Sequence, residues 1–195
     1  MYILRVAGNA DQASLLRFYE RNRKQTKFLI PRPAAEFEQA IDRGQYFLVE
    51  RGGEIVAASG VFDYGPNLPP VEFAETCVGQ EVRGRGLQSF FFRLRIAAVI
   101  STQGKDVPIT TAIDPCNAKS LRNTRNQGFE KWDPIPEVFS SCPTCKNKPW
   151  PICFWRRCCC DFYFLPIQHS RNCVDQLLKE FVGAHVVFGE GEIGF

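Results

Sequence analysis

The sequence predicts an α/β protein built on one mixed central sheet flanked by helices. Segments of helical period alternate along the chain with short apolar runs of strand character, and three such runs follow one another as a meander near the middle. A chain of 195 residues, 45% hydrophobic and 23% charged, also has the size and composition to bury one core without disulfide staples.

The chain opens on a strand, YILRVA, over residues 2–7. A helix follows over 9–24, with Leu15, Phe18 and Tyr19 at helical spacing and Asn9 or Asp11 as its cap. A second helix covers 34–44, after Pro33 and stopped by Gly44. Residues 45–65 hold two apolar runs joined at Gly52 and Gly53, a strong hairpin signal. VEFAETCV, residues 71–78, is the third strand of the meander. From Gly86 onward Leu87, Phe90, Phe91, Leu94 and Ala98 form the apolar stripe of a buried helix. A strand at 107–114, a polar helix begun by Asn117 and stopped by Gly128, and a strand starting at Phe129 come next. Residues 134–157 are rich in Pro, Cys and Trp and read as a long irregular insertion. Strand character resumes over 157–166, a punctuated helix spans 170–183, and HVVF adds a last strand.

The bulk features exclude several classes. The longest aliphatic run, near Ile96 to Ile100, falls far short of the ~18 residues a membrane span needs. The first residues lack a basic region followed by a long apolar one, so no signal peptide is read and the cytoplasm is the default compartment. A net charge of +3 does not make the concentrated basic face of a nucleic-acid binder, and Arg21 to Lys24 reads as the solvated end of a helix.

Nine cysteines are unevenly placed. Cys77 and Cys116 stand alone and read as small core residues, whereas Cys142, Cys145, Cys153, Cys158, Cys159, Cys160 and Cys173 crowd the C-terminal part. The odd total argues against a full disulfide framework and points to metal or to free thiols. The two-residue gap between Cys142 and Cys145 lets both sulfurs wrap one zinc ion, with Cys153 and either Cys158 or Cys160 nearest to complete a tetrahedral site. Free thiols, or reversible disulfides, in an apolar loop are the competing reading.

The most informative stretch is EVRGRGLQSFFFRLRIAAVI, residues 81–100. A strand ending at Val78, then Arg83-Gly84-Arg85-Gly86-Leu87, then an apolar helix, gathers unpaired backbone N–H groups at a positive helix end, where a pyrophosphate can sit. This sequence resembles the GNAT superfamily of acyl-CoA-dependent N-acyltransferases, whose signature is Arg or Gln, two residues, Gly, one residue, then Gly or Ala. Arg83, Gly84, Arg85, Gly86 and Leu87 match, and Gln88 departs at the last, usually small, position. Asn117, Ser120, Gly128 and Phe129 fit the family's second signature, and Val78 and Glu81 stand where it carries a valine and an acidic residue.

The resemblance implies a GNAT-type fold over one domain, residues 1–195, with a Cys-rich insertion between the last two family strands and an extra C-terminal helix within a 166–195 extension. It implies acetyl-CoA as co-substrate, bound by residues 83–89 including Ser89 and by Asn117 and Ser120. The pantetheine arm would lie between the two central strands, with the thioester carbonyl met by backbone near Cys77 and Val78. A primary amine of a small molecule or a protein would attack directly. Glu75 is the first candidate base and Asp114 the second, each against the plainer reading of a surface carboxylate. Thr124 stands where many members carry a leaving-group Tyr; a threonine hydroxyl is a poor acid, which leaves water, Tyr163, or no residue. Two other readings compete: a non-catalytic acyl-CoA-binding module, and a zinc-stabilised protein-interaction domain. No membrane or nucleic-acid partner is expected, the amine acceptor is not legible, and a homodimer is left open.

Overall fold

The computed structural model describes residues 2–25, 28–29, 33–63, 71–104, 107–133, 160–170, 186–188 and 191–193. In chain order these form β1 (Tyr2–Val6), α1 (Gln12–Arg23), α2 (Ala34–Asp42), β2 (Tyr46–Arg51), β3 (Glu54–Asp63), β4 (Val71–Val78), α3 (Leu87–Gln103), β5 (Ile109–Ile113), α4 (Ala118–Asn126), β6 (Glu130–Lys131), β7 (Asp161–Leu165), β8 (Val186–Phe188) and β9 (Gly191–Ile193). The strands make one sheet in the order β6-β7-β5-β4-β3-β2-β1-β8-β9, with β4–β5 and β1–β8 parallel and the other pairs antiparallel. The predicted mixed sheet and element order are therefore present. The 134–157 insertion and most of the predicted 170–183 helix lie outside the described residues.

Strand alternation sorts the apolar residues onto two faces. Phe47 and Val49 of β2 and Phe73 of β4 join Phe91, Phe92, Leu94 and Ile96 of α3 in one core. Tyr46 and Leu48 turn the other way, onto Leu15, Phe18 and Tyr19 of α1 and Phe37, Ala40 and Ile41 of α2. The hairpin falls where the Gly-Gly pair predicts it: Arg51 pairs Glu54, and Gly52 and Gly53 take φ of 60° and 81°, the positive angles of a two-residue turn.

Local details differ from the sequence reading for identifiable reasons. Asp11 precedes α1, but its side chain makes no helix-cap bond. Arg5 draws it away, holding its carboxylate at 2.6 Å, while the Gly8 N–H donates to it at 2.8 Å. Cys116 is exposed rather than a core residue, because it sits in the turn between β5 and α4, its N–H donating to Asp114 Oδ1. The predicted strand at Phe129 shortens to two residues. No described helix is long and apolar enough to cross a membrane.

One irregularity interrupts the β3–β4 ladder. Between the pairs Ala58–Cys77 and Gly60–Ala74, β3 advances two residues and β4 three, so β4 carries a bulge. Glu75 lies in it with a φ of 54°, the one described non-glycine residue in the left-handed region.

Candidate functional site

β4 and β5 pair only at Val71–Ile109 and Glu72–Thr110, although β4 continues to Val78 and β5 to Ile113. Thr111 Oγ1 donates to the Phe73 carbonyl at 2.8 Å, just where the ladder ends. Beyond that point the two parallel strands part, and the gap belongs to a cavity of about 950 Å³. The β4 bulge explains the parting, since an extra residue bends and twists its strand away from regular pairing. The Gly79 N–H donates to Val56 at 2.8 Å, so by alternation the polar backbone of Val78 faces away from β3 and toward the gap. Arg83 Nε, which donates to the Val78 carbonyl at 3.1 Å, approaches from that side.

The glycine turn closes the open end. Gly84 and Gly86 take φ of 79° and 78°, and Gly86 is the N-cap of α3. An added Cβ at either would meet nothing within 4 Å, so backbone conformation, not packing, calls for glycine here. The first helical bond runs from Phe90 N–H to the Gly86 carbonyl, leaving the N–H groups of Leu87, Gln88 and Ser89 ahead of it. α4 starts on the same cavity, with Asn117 Oδ1 capping the Ser120 N–H at 3.2 Å. Ser89 Oγ donates to Asn123 Oδ1 at 2.7 Å and ties the start of α3 to the second turn of α4. Two positive helix ends and the side chains of Arg83, Lys119 and Arg122 thus border one cavity, an arrangement suited to phosphate groups.

The predicted binding residues Cys77, Val78, Arg83, Gly84, Gly86, Leu87, Gln88, Ser89, Asn117 and Ser120 all line this cavity. Arg85 does not; its guanidinium lies 5.9 Å from the Tyr2 ring on β1. Among the catalytic candidates, Glu75 and Asp114 line the cavity. Glu75 also receives the Tyr19 hydroxyl on its carbonyl, and Tyr46 donates in turn to Tyr19. Thr124 and Tyr163 are fully buried, and neither hydroxyl has a described partner or an opening to the cavity. Burial pushes the Cys77 thiol up to about 12, which makes it a poor nucleophile at neutral pH. Cys142, Cys145, Cys153 and Cys158 lie outside the described residues, among which no group of three or more metal-ligating side chains forms.

Sequence reasoning missed Arg95. It occupies α3, is 1% exposed, and borders the cavity from the α3 side of the sheet. Its signal was a charged residue set between Leu94 and Ile96 in the most apolar helix of the chain.

No family model and no curated protein matches the sequence. Solved structures do match the fold. The loading GNAT domain of CurA from Lyngbya majuscula superposes with a TM-score of 0.63 at 13% identity, over 87% of this chain and 99% of that one. The protein yncA from Salmonella typhimurium, solved with its cofactor acetyl-CoA, gives 0.57 at 16% identity, over 84% and 91%. N-acetylglutamate synthase from Neisseria gonorrhoeae, complexed with coenzyme A and N-acetyl-glutamate, gives 0.58 at 14% identity over 85% of this chain, which spans 35% of that longer protein. The chain has the GNAT fold.

Proposed function

We propose that the chain is an acyl-CoA-dependent N-acyltransferase that moves an acetyl group from acetyl-CoA to a primary amine of a small molecule or protein. The observation that carries this reading is the gap between β4 and β5, which opens directly onto the left-handed glycine turn at the start of α3. In this reading the pyrophosphate rests on the N–H groups of residues 84–89, and the pantetheine arm runs along the open edge of β4. The thioester carbonyl accepts from the Val78 N–H, which stabilises the oxyanion.

The amine nitrogen attacks the thioester carbon, the C–S bond breaks, and the amine proton passes to Glu75 or, failing it, Asp114. Coenzyme A leaves as a thiolate. Because the Thr124 and Tyr163 hydroxyls are sealed from the cavity, the proton it gains comes from water. Direct attack needs no acyl intermediate on Cys77, whose thiol is held in the protonated form by burial. Zinc in the Cys-rich insertion rests on the Cys142–Cys145 spacing alone, and elemental analysis of the purified protein decides it.

The sealed hydroxyls also favour the second reading, a binding module that has the cofactor cleft and no side-chain acid. Incubation with acetyl-CoA and a panel of primary amines, reading free thiol and acetylated product, separates the two. Amine-dependent thiol release supports transfer; tight coenzyme A binding without product supports the binding module.

A further inference from the structure

Arg95 is a buried cation with an unspent donor. Its Nε donates to the Phe91 carbonyl at 3.1 Å, and its Nη1 to the carbonyls of Gly60 at 3.2 Å and Ala74 at 3.4 Å, the strand pair that borders the β4 bulge. Its guanidinium lies 4.3 Å from the Phe73 ring centre and 5.0 Å from that of Phe92. Among the described residues Nη2 has no hydrogen-bond partner, and it is not among the atoms sealed from solvent. The side chain borders the cavity, and Nη2 is its one nitrogen without a described partner.

The charge has no counter-ion among the described residues. Glu72 and Glu75 line the same cavity. Burial lowers its pKa to about 9, which still leaves it charged at neutral pH. Carbonyl dipoles and two aromatic faces offset part of the desolvation cost, and a neutral side chain of similar volume would avoid it altogether. A fork-shaped donor held on three carbonyls, with one nitrogen unpaired at a cavity wall, is suited to a carboxylate.

We propose that Arg95 is an anion-recognition residue whose Nη2 binds a carboxylate carried by a substrate in the cleft. This rests on the acyltransferase reading for the identity of the substrate, though not for the existence of the site. Ala74 lies four residues back from Val78 toward the closed end of the gap, so Arg95 acts beyond the thioester position. Two substrates place a carboxylate there: an acyl donor with a distal carboxylate, and an amino-acid acceptor. The role is recognition, not chemistry.

The test compares each carboxylate with its neutral isostere in wild type and in Arg95→Met. Succinate and glutarate against succinamide, read by thermal shift at millimolar concentration, probe the anion site without any cofactor. Succinyl-CoA against acetyl-CoA affinity probes the donor, and an amino acid against its amide, in turnover or binding, probes the acceptor. The expected result is a preference of at least tenfold for the carboxylate in the donor or the acceptor arm, a stabilising shift from the free dicarboxylates, and loss of both in the variant. No preference in wild type in any arm overturns the proposal, as does a preference that survives in Arg95→Met. The wild-type ratios decide even if the variant does not fold. Arg95-dependent shifts from dicarboxylates without coenzyme A binding would keep the site and reject the acyltransferase reading.

Discussion

Glu75 holds a left-handed backbone that costs an ordinary residue roughly 1–2 kcal/mol, and its place in the β4 bulge aims that strained point at the cleft. As the general base, Glu75→Gln should lower turnover on the order of 100-fold, whereas Asp114→Asn should leave most of it. An opposite ranking in a kcat comparison moves the base to Asp114. At Gly86, whose φ is 78°, Gly86→Asp adds both backbone strain and a negative charge at the proposed pyrophosphate seat. Calorimetric titration should show coenzyme A affinity reduced by at least about tenfold, since a single charge-assisted contact is worth on the order of 1.5–3 kcal/mol. The Cys77 thiol, raised from 9.0 to about 12 by burial, stays neutral when the unfolded chain's thiol has ionised. Its contribution to stability is therefore whole below about pH 9 and lost as the pH climbs toward 12. Alkylation followed by peptide mapping at pH 8 should modify exposed Cys116 and spare Cys77.

At the scale of elements, the β3–β4 junction is held from both sides. A Cβ at Gly60 would lie 2.6 Å from the rings of both Phe62 and Tyr46, so Gly60→Ala should destabilise by about 1–3 kcal/mol in a denaturant titration. An unchanged midpoint would mean that the rings yield freely. At the other end of the sheet, Arg5 joins Asp11 to Glu50 and so pins the start of α1 to β1 and β2. Arg5 holds the Asp11 carboxyl below its usual range, so the native state binds this proton less readily than the unfolded chain. The stabilisation is present above the ordinary carboxylate pKa and lost as the pH falls below it. Asp11→Asn should therefore cost about 1 kcal/mol at pH 7, and the difference from wild type should vanish in acid unfolding measurements.

Across the whole molecule, the fold was legible where a single physical signal acted. Gly52-Gly53 marked the hairpin through the positive φ that only such residues take readily, and the stripe from Leu87 to Ala98 marked α3. The glycine turn before α3 was legible for the same reason, Gly84 and Gly86 taking positive φ. The gap between β4 and β5 was not legible from the residues themselves, because it arises from pairing register and a bulge, and neither leaves a periodic trace; it entered only through the GNAT resemblance. Arg95 was hidden because a lone charge in an apolar helix reads as a solvated position until the sheet covers it. Thr124 and Tyr163 show the converse: their chemistry made them candidates, and their burial within α4 and β7 closes them off from the cleft. The central claim is that the cleft is a cofactor site, and the most direct measurement is the thermal midpoint with and without saturating acetyl-CoA. A ligand at 100 times its Kd adds about 2.7 kcal/mol to the native state, and each kcal/mol moves a chain of this size by roughly 2–4 °C. A cofactor cleft predicts an upward shift of about 5–10 °C in wild type that is lost in Gly86→Asp. An unmoved wild-type midpoint at saturating cofactor contradicts it.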